Sequence, residues 1–183
     1  MYTIDVERKR ATVMNADVVG YSRMMAHGDL QTVAHLIDCM ECICALVRGY
    51  GGRVLDTIGD NLSAEFDDEP AAVRCGQQIQ RTLADRNRCL PEDERMAFRI
   101  GIHSGEVLAA KTKQGTRVYG DVVNIAARLQ NRAEAGHMVV SASVADRLGP
   151  GMSRRLTDLG PQRFKNIPYT VAAVEVRIAG DAA

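Results

Sequence analysis

The stretch that most constrains this chain runs from Leu30 to Phe66, where a long helical pattern empties into a tight hairpin. Leu30, Val33, Ala34, Ile37, Met40, Cys44 and Val47 recur at helical spacing, and Gly51-Gly52 stops the pattern near Tyr50. Arg53–Ile58 and Leu62–Phe66 then read as two short strands joined by Gly59-Asp60-Asn61. An apolar helix stripe and an antiparallel pair must bury their apolar faces on each other. The expectation is an α+β sandwich, a sheet covered by helices.

The rest of the chain keeps the same alternation. Ala11–Met14 reads as a strand leading into Asn15-Ala16-Asp17-Val18-Val19-Gly20. Asp67-Asp68-Glu69-Pro70 opens a second helix whose stripe includes Ala72, Ile79 and Leu83, with proline tolerated in the first turn. Phe98–His103 is a strand, Ser104-Gly105 a turn, and Glu106–Ala110 the returning partner. A third helix is expected from Asp121 to Ala135, with Asp121 as its N-cap. Met138–Val140, Ala142–Leu148 and Val171–Val176 supply a strand, a helix and a closing strand.

Composition narrows the class. A length of 183 residues suits one domain, placed at 8–178 with short tails at 1–7 and 179–183. Lysine plus arginine equals aspartate plus glutamate at 23 each, without the basic excess of a nucleic-acid footprint. No apolar run approaches the roughly 20 residues that span a bilayer. The start, MYTIDVERKRA, lacks the apolar stretch of a secretion signal. Cys39, Cys42, Cys44, Cys75 and Cys89 are odd in number and irregular in spacing, so no disulfide framework is expected. The expectation is a cytoplasmic chain with no nucleic-acid partner and no membrane segment of its own.

Two acidic positions stand at chain reversals. Asp17 follows an apolar strand and Asp60 sits at a hairpin tip, both suited to a divalent cation. Taken alone, either reads as ordinary turn chemistry. The flanking strings change that reading. Asp17-Val18-Val19-Gly20-Tyr21-Ser22 resembles the first metal motif of class III nucleotide cyclases, and Gly59-Asp60 resembles the second. Tyr119-Gly120-Asp121-Val122-Val123-Asn124-Ile125-Ala126-Ala127-Arg128 resembles the helix that holds that family's transition-state asparagine and arginine. Phe98-Arg99-Ile100-Gly101-Ile102-His103-Ser104-Gly105 resembles its central strand, and the four strings stand in the family's order.

The resemblance, strongest to the bacterial branch, implies a ferredoxin-like, palm-type mixed sheet with helices mainly on one face. It implies an adenylate or guanylate cyclase, a lyase that converts a nucleoside triphosphate to its 3′,5′-cyclic monophosphate. Two divalent cations, Mg2+ or Mn2+, would sit at Asp17, Asp60 and Val18. The phosphates would lie against Val19, Gly20, Tyr21 and Ser22. Asn124 and Arg128, four apart and so on one helix face, would act from the opposite protomer of a homodimer.

The chain departs from the family where the base is read. ATP-using members resembling it carry a lysine four residues before the second metal aspartate and an aspartate seven before the asparagine. Here those positions hold Asp56 and Arg117. Three readings stand open: the pair has swapped sides and still reads adenine; Asp56 takes the guanine N1 and N2 protons while Arg117 donates to O6; or base reading is lost and the domain is a weak or regulatory module. ATP is placed first. A diguanylate cyclase is set aside, because the hairpin reads Ile58-Gly59-Asp60-Asn61-Leu62.

Overall fold

The computed structural model describes residues 5–112, 115–153 and 156–177. An eight-stranded mixed sheet forms its centre, in the order β2-β3-β1-β4-β6-β8-β7 with β5 paired to β4. Its strands are β1 (Val6–Val18), β2 (Arg53–Ile58), β3 (Asn61–Phe66), β4 (Phe98–Thr112), β5 (Gly115–Tyr119), β6 (Met138–Ser141), β7 (Leu156–Arg163) and β8 (Thr170–Val176). The helices are α1 (Tyr21–His27), α2 (Asp29–Gly49), α3 (Glu69–Arg88), α4 (Asp121–Gln130), α5 (Ala142–Ala145) and α6 (Pro150–Ser153). β4 and β6 run parallel; the ladders of β1 with β3 and with β4 are antiparallel.

Side-chain alternation along β1 sorts the helices onto two faces. Met14, Ala16 and Val18 share a core with Leu36, Cys39, Ile43 and Val47 of α2 and Val73, Ile79 and Leu83 of α3. Ala11 and Val13 point the other way, against Val122 and Ala126 of α4. The sheet is thus covered mainly on one face, and α4 lies on the other.

That placement of α4 corrects one reading of the sequence. Ser104-Gly105 makes no turn: β4 continues unbroken to Thr112, paired with β1 as far as Val6↔Ala110. The glycines there serve close approach. A Cβ on Gly105 would lie 2.9 Å from Val122 Cγ2, and one on Gly101 would lie 2.2 Å from both Ala126 O and Gln130 N. Ser104 faces the opposite side, where its hydroxyl donates to Glu69 Oε1.

Other boundaries shift for local reasons. β1 is longer than expected, because its ladder to β4 extends through charged residues with no apolar signature. α4 ends at Gln130 rather than Ala135, and Gly120 (φ 136°) caps it instead of Asp121. Asp68 caps α3, accepting from Ala71 N at 3.0 Å. α2 is, by length and mean hydropathy (1.5), apolar enough to cross a membrane, contrary to the run-based expectation. The charges Asp38, Glu41 and Arg48 interrupt its apolar run without lowering the mean far, and its buried stripe packs on the sheet.

His103 plays a structural part. Its Nδ1 lies 2.8 Å from Ser141 Oγ, and burial together with the nearby Arg10 charge pushes its pKa down to about 4. The folded state therefore holds it neutral where the unfolded chain takes up a proton. Stability from this group is complete above pH 6.5 and is lost as pH falls toward 4. His103→Gln should flatten that part of the profile, measured as urea midpoints at pH 7 and pH 5. Gly101→Ala should destabilise by about 1–3 kcal/mol or more, because backbone atoms of α4 cannot yield as a flexible side chain would; the same titrations measure it.

Candidate active site

The β1–β3 register sets Asp17 opposite Asn61, one residue from the hairpin turn that holds Asp60. Gly59 supplies the left-handed conformation (φ 60°) that the two-residue turn requires. Two carboxylates from distant parts of the chain are thereby brought together. Burial at the hairpin tip, then the charge and hydrogen bonding of Asp17, hold Asp60 above the ordinary carboxylate range.

Asp17 has two partners that the sequence did not single out. Arg99, directly across on β4, places Nη2 2.8 Å from Asp17 Oδ2. Gln130, at the end of α4, places Nε2 3.3 Å from the same oxygen. Arg99 lay inside a quoted motif, but only the strand register reveals its role. Gln130 carried no signal, because 113 positions separate it from Asp17.

Facing carboxylates with oxygen donors fit a hard divalent cation, which relieves their mutual repulsion. Among the described residues no group of three or more His, Cys, Asp or Glu side chains gathers for a metal. Such a site would leave open positions for water or phosphate, in the manner of Mg2+. Val18 can contribute only its backbone carbonyl, since a valine side chain carries no donor atom.

The loop after Val18 is only partly free for phosphate. The Val19 N–H already donates to Ala97 O at 2.8 Å, so its expected part as a phosphate donor is not available in this arrangement. Gly20 (φ 74°) caps α1, and the first N–H groups of that short helix, at Tyr21 and Ser22, have no earlier turn to pair with. The Arg23 guanidinium lies over Gly20, its Nη2 3.4 Å from where a Cβ would stand.

Asn124 and Arg128 both lie on the exposed side of α4, while Val122, Ile125, Ala126 and Leu129 are buried. In the protomer they face away from the sheet that carries the aspartates. Asp56 is exposed on β2 and Arg117 exposed on β5. A bulge between Val54 and Asp56 makes Asp56 oppose Ser63, so that Asp56 joins Arg53, Ser63 and Asp17 on the α4 side of the sheet. Without the extra residue Asp56 would point into the α2–α3 layer. Lys165 stands exposed between β7 and β8.

Comparison with known proteins places this arrangement. The family described as adenylate and guanylate cyclase catalytic domain matches residues 5–171. The chain belongs to that family, the class III nucleotide cyclases. A crystal structure of an adenylate/guanylate cyclase/hydrolase from Silicibacter pomeroyi is 33% identical, superposes with a TM-score of 0.84, and aligns over 94% of this chain and 98% of that one. The guanylate cyclase domain of RhGC from Catenaria anguillulae, in complex with GTP, shares the fold at 19% identity and a TM-score of 0.79, covering 94% and 98%. A Rhizobium meliloti (strain 1021) protein provisionally named adenylate cyclase 3 is 31% identical over 167 residues, 91% of this chain but 28% of its own length. The chain thus spans under a third of that relative.

The Arg99 contact yields a test. Arg99→Met removes the counter-charge of Asp17 and should cost about 1–3 kcal/mol without added metal. Mg2+ should return part of that loss, so its thermal-shift increment should exceed that of the wild type. Equal increments would show that Arg99 and the cation do not share a site.

Proposed function

We propose that this chain is the catalytic domain of an adenylate cyclase that converts ATP to 3′,5′-cyclic AMP and pyrophosphate, with each site shared between two protomers of a homodimer. The carrying observation is the distribution of groups on one sheet face. Asp17 and Asp60 meet at a strand end, while α4 on the same face turns Asn124 and Arg128 to solvent. Groups facing outward from one protomer suit the carboxylates of a second, and a twofold axis then makes two sites.

Two divalent cations, Mg2+ or Mn2+, held by Asp17, Asp60 and the Val18 carbonyl would lower the pKa of the attacking 3′-hydroxyl and offset triphosphate charge. The chain's own groups supply the rest. Arg128 offers a planar fork of donors to the α-phosphate as charge builds there. Asn124, one turn earlier, orients the ribose so that its 3′-oxygen lies in line with the leaving pyrophosphate. Tyr21, Ser22 and Gly20 cradle the outer phosphates through N–H groups and the Ser22 hydroxyl.

Asp56 and Arg117 are the proposed base readers. With adenine, Arg117 donates to a ring nitrogen and Asp56 accepts from the amino group. The similarity to the Rhizobium meliloti protein favours ATP. A guanylate cyclase is the second reading, favoured by the acid at position 56, which can accept the two guanine protons that adenine lacks. The Catenaria anguillulae domain, which is in complex with GTP, supports this second reading.

The test is complementation with both nucleotides. Asp17→Ala and Arg128→Ala should each lower turnover by about a hundredfold or more. Mixing the two exchanged variants should restore roughly a quarter of wild-type turnover, since half the dimers are mixed and each keeps one of two sites. Chromatographic identification of cyclic AMP against cyclic GMP, from ATP and GTP assayed side by side, decides the base. Full activity in either single variant would refute the assignment.

A further inference from the structure

A buried carboxylate on the α4 side of the sheet is not used by the chemistry above. Glu65 of β3 is 3% exposed, yet it is held by two cations: Lys9 Nζ lies 2.5 Å from Oε1, and Arg53 Nη2 donates to Oε2. Taking a carboxylate out of water costs several kcal/mol unless its partners are well placed. Arg53 is the directly opposed residue on β2, and its fork reaches two ways. While Nη2 holds Glu65, Nη1 donates to Thr116 O of β5 at 3.0 Å.

That second bond joins elements no ladder joins. Among the described residues β5 is laddered to β4, from Leu108↔Tyr119 to Thr112↔Gly115, and not to β2. A strand paired along one edge can swing about that edge, and a tie on its other side sets the angle. Thr116 is the residue before Arg117. Asp56 lies on Arg53's own strand and, through the bulge, on its own face. One guanidinium therefore references both proposed base readers to a single buried anchor.

We propose that Glu65 and Arg53 are positioning residues that hold β5 over β2 and so set Arg117 relative to Asp56, which rests on the reading that those two residues recognise the base. Arginine suits this role because the two Nη groups of its rigid fork reach a carboxylate and a carbonyl that lie apart. A lysine would satisfy Glu65 or Thr116, not both.

The experiment compares Arg53→Met, Arg53→Lys and Arg117→Ala with the wild type. The readouts are hydrogen exchange of the amides of 115–119 and the ATP-to-GTP ratio of kcat/KM. Arg53 is partly exposed, so Met is tolerated and Lys9 remains for Glu65. Arg53→Met should speed β5 exchange by about tenfold or more. It should also move the nucleotide ratio in the same direction as Arg117→Ala, acting mainly through KM. Arg53→Lys should recover thermal stability while leaving β5 exchange fast, a split that a merely structural ion pair would not give. Unchanged β5 exchange in Arg53→Met overturns the proposal. So does faster exchange with an unmoved ratio while Arg117→Ala still shifts it. If Arg117→Ala itself leaves the ratio unmoved, the base reading has failed and takes the proposal with it.

Discussion

The ladder between β1 and β4 runs without a break from Val6↔Ala110 to Val18↔Phe98, and its register decides where the chemistry falls. It sets Asp17 beside Arg99 and lines up Gly101 and Gly105 under α4. A slip of one residue would turn Asp17 into the α2–α3 core and bring Met14 to the polar face, because side chains alternate along a strand. Burial of Met14, Ala16 and Val18 on one side, and of Ala11 and Val13 on the other, penalises that slip on both faces at once.

The second constraint is how closely α4 approaches β4. With backbone atoms of Ala126 and Gln130 only 2.2 Å from where a Gly101 Cβ would be, the helix sits nearer the sheet than any side chain at 101 would allow. That depth lets Gln130 reach Asp17 and leaves Asn124 and Arg128 on the outer side. The carboxylates and the α4 donors are thus fixed to one sheet but aimed differently, which suits a site completed by a second copy better than one closed within a protomer.

Charge is used in two distinct ways on this face. At the end of β1, Asp60 stands against the like charge of Asp17, a condition that suits a cation. At Glu65 the carboxylate is ion-paired on one oxygen with Lys9 and on the other with Arg53, a condition that suits a rigid anchor. The cysteines do neither. Burial pushes the Cys75 thiol up to about 12 and raises Cys39 and Cys42, so these thiols resist ionisation and act as small apolar groups.

The sequence by itself determined the helices α2 and α3 and the β2–β3 hairpin, because each lies in a short string whose periodicity or turn chemistry is local; Asp17, Asp60, Asn124 and Arg128 stand out only through the resemblance of their flanking strings to the cyclase motifs. It left α1, β5 and β7 unread: these are short or exposed and carry no apolar period. Ser104-Gly105 was legible as a turn, since glycine's commonest local use is reversal; only the packing of α4 makes it a contact point within a strand. Tertiary structure alone decided that Arg99 and Gln130 hold Asp17, across 82 and 113 positions, and that a bulge turns Asp56 to the α4 side of the sheet. Such pairings depend on strand register and helix depth, which the whole core sets together and no local window contains.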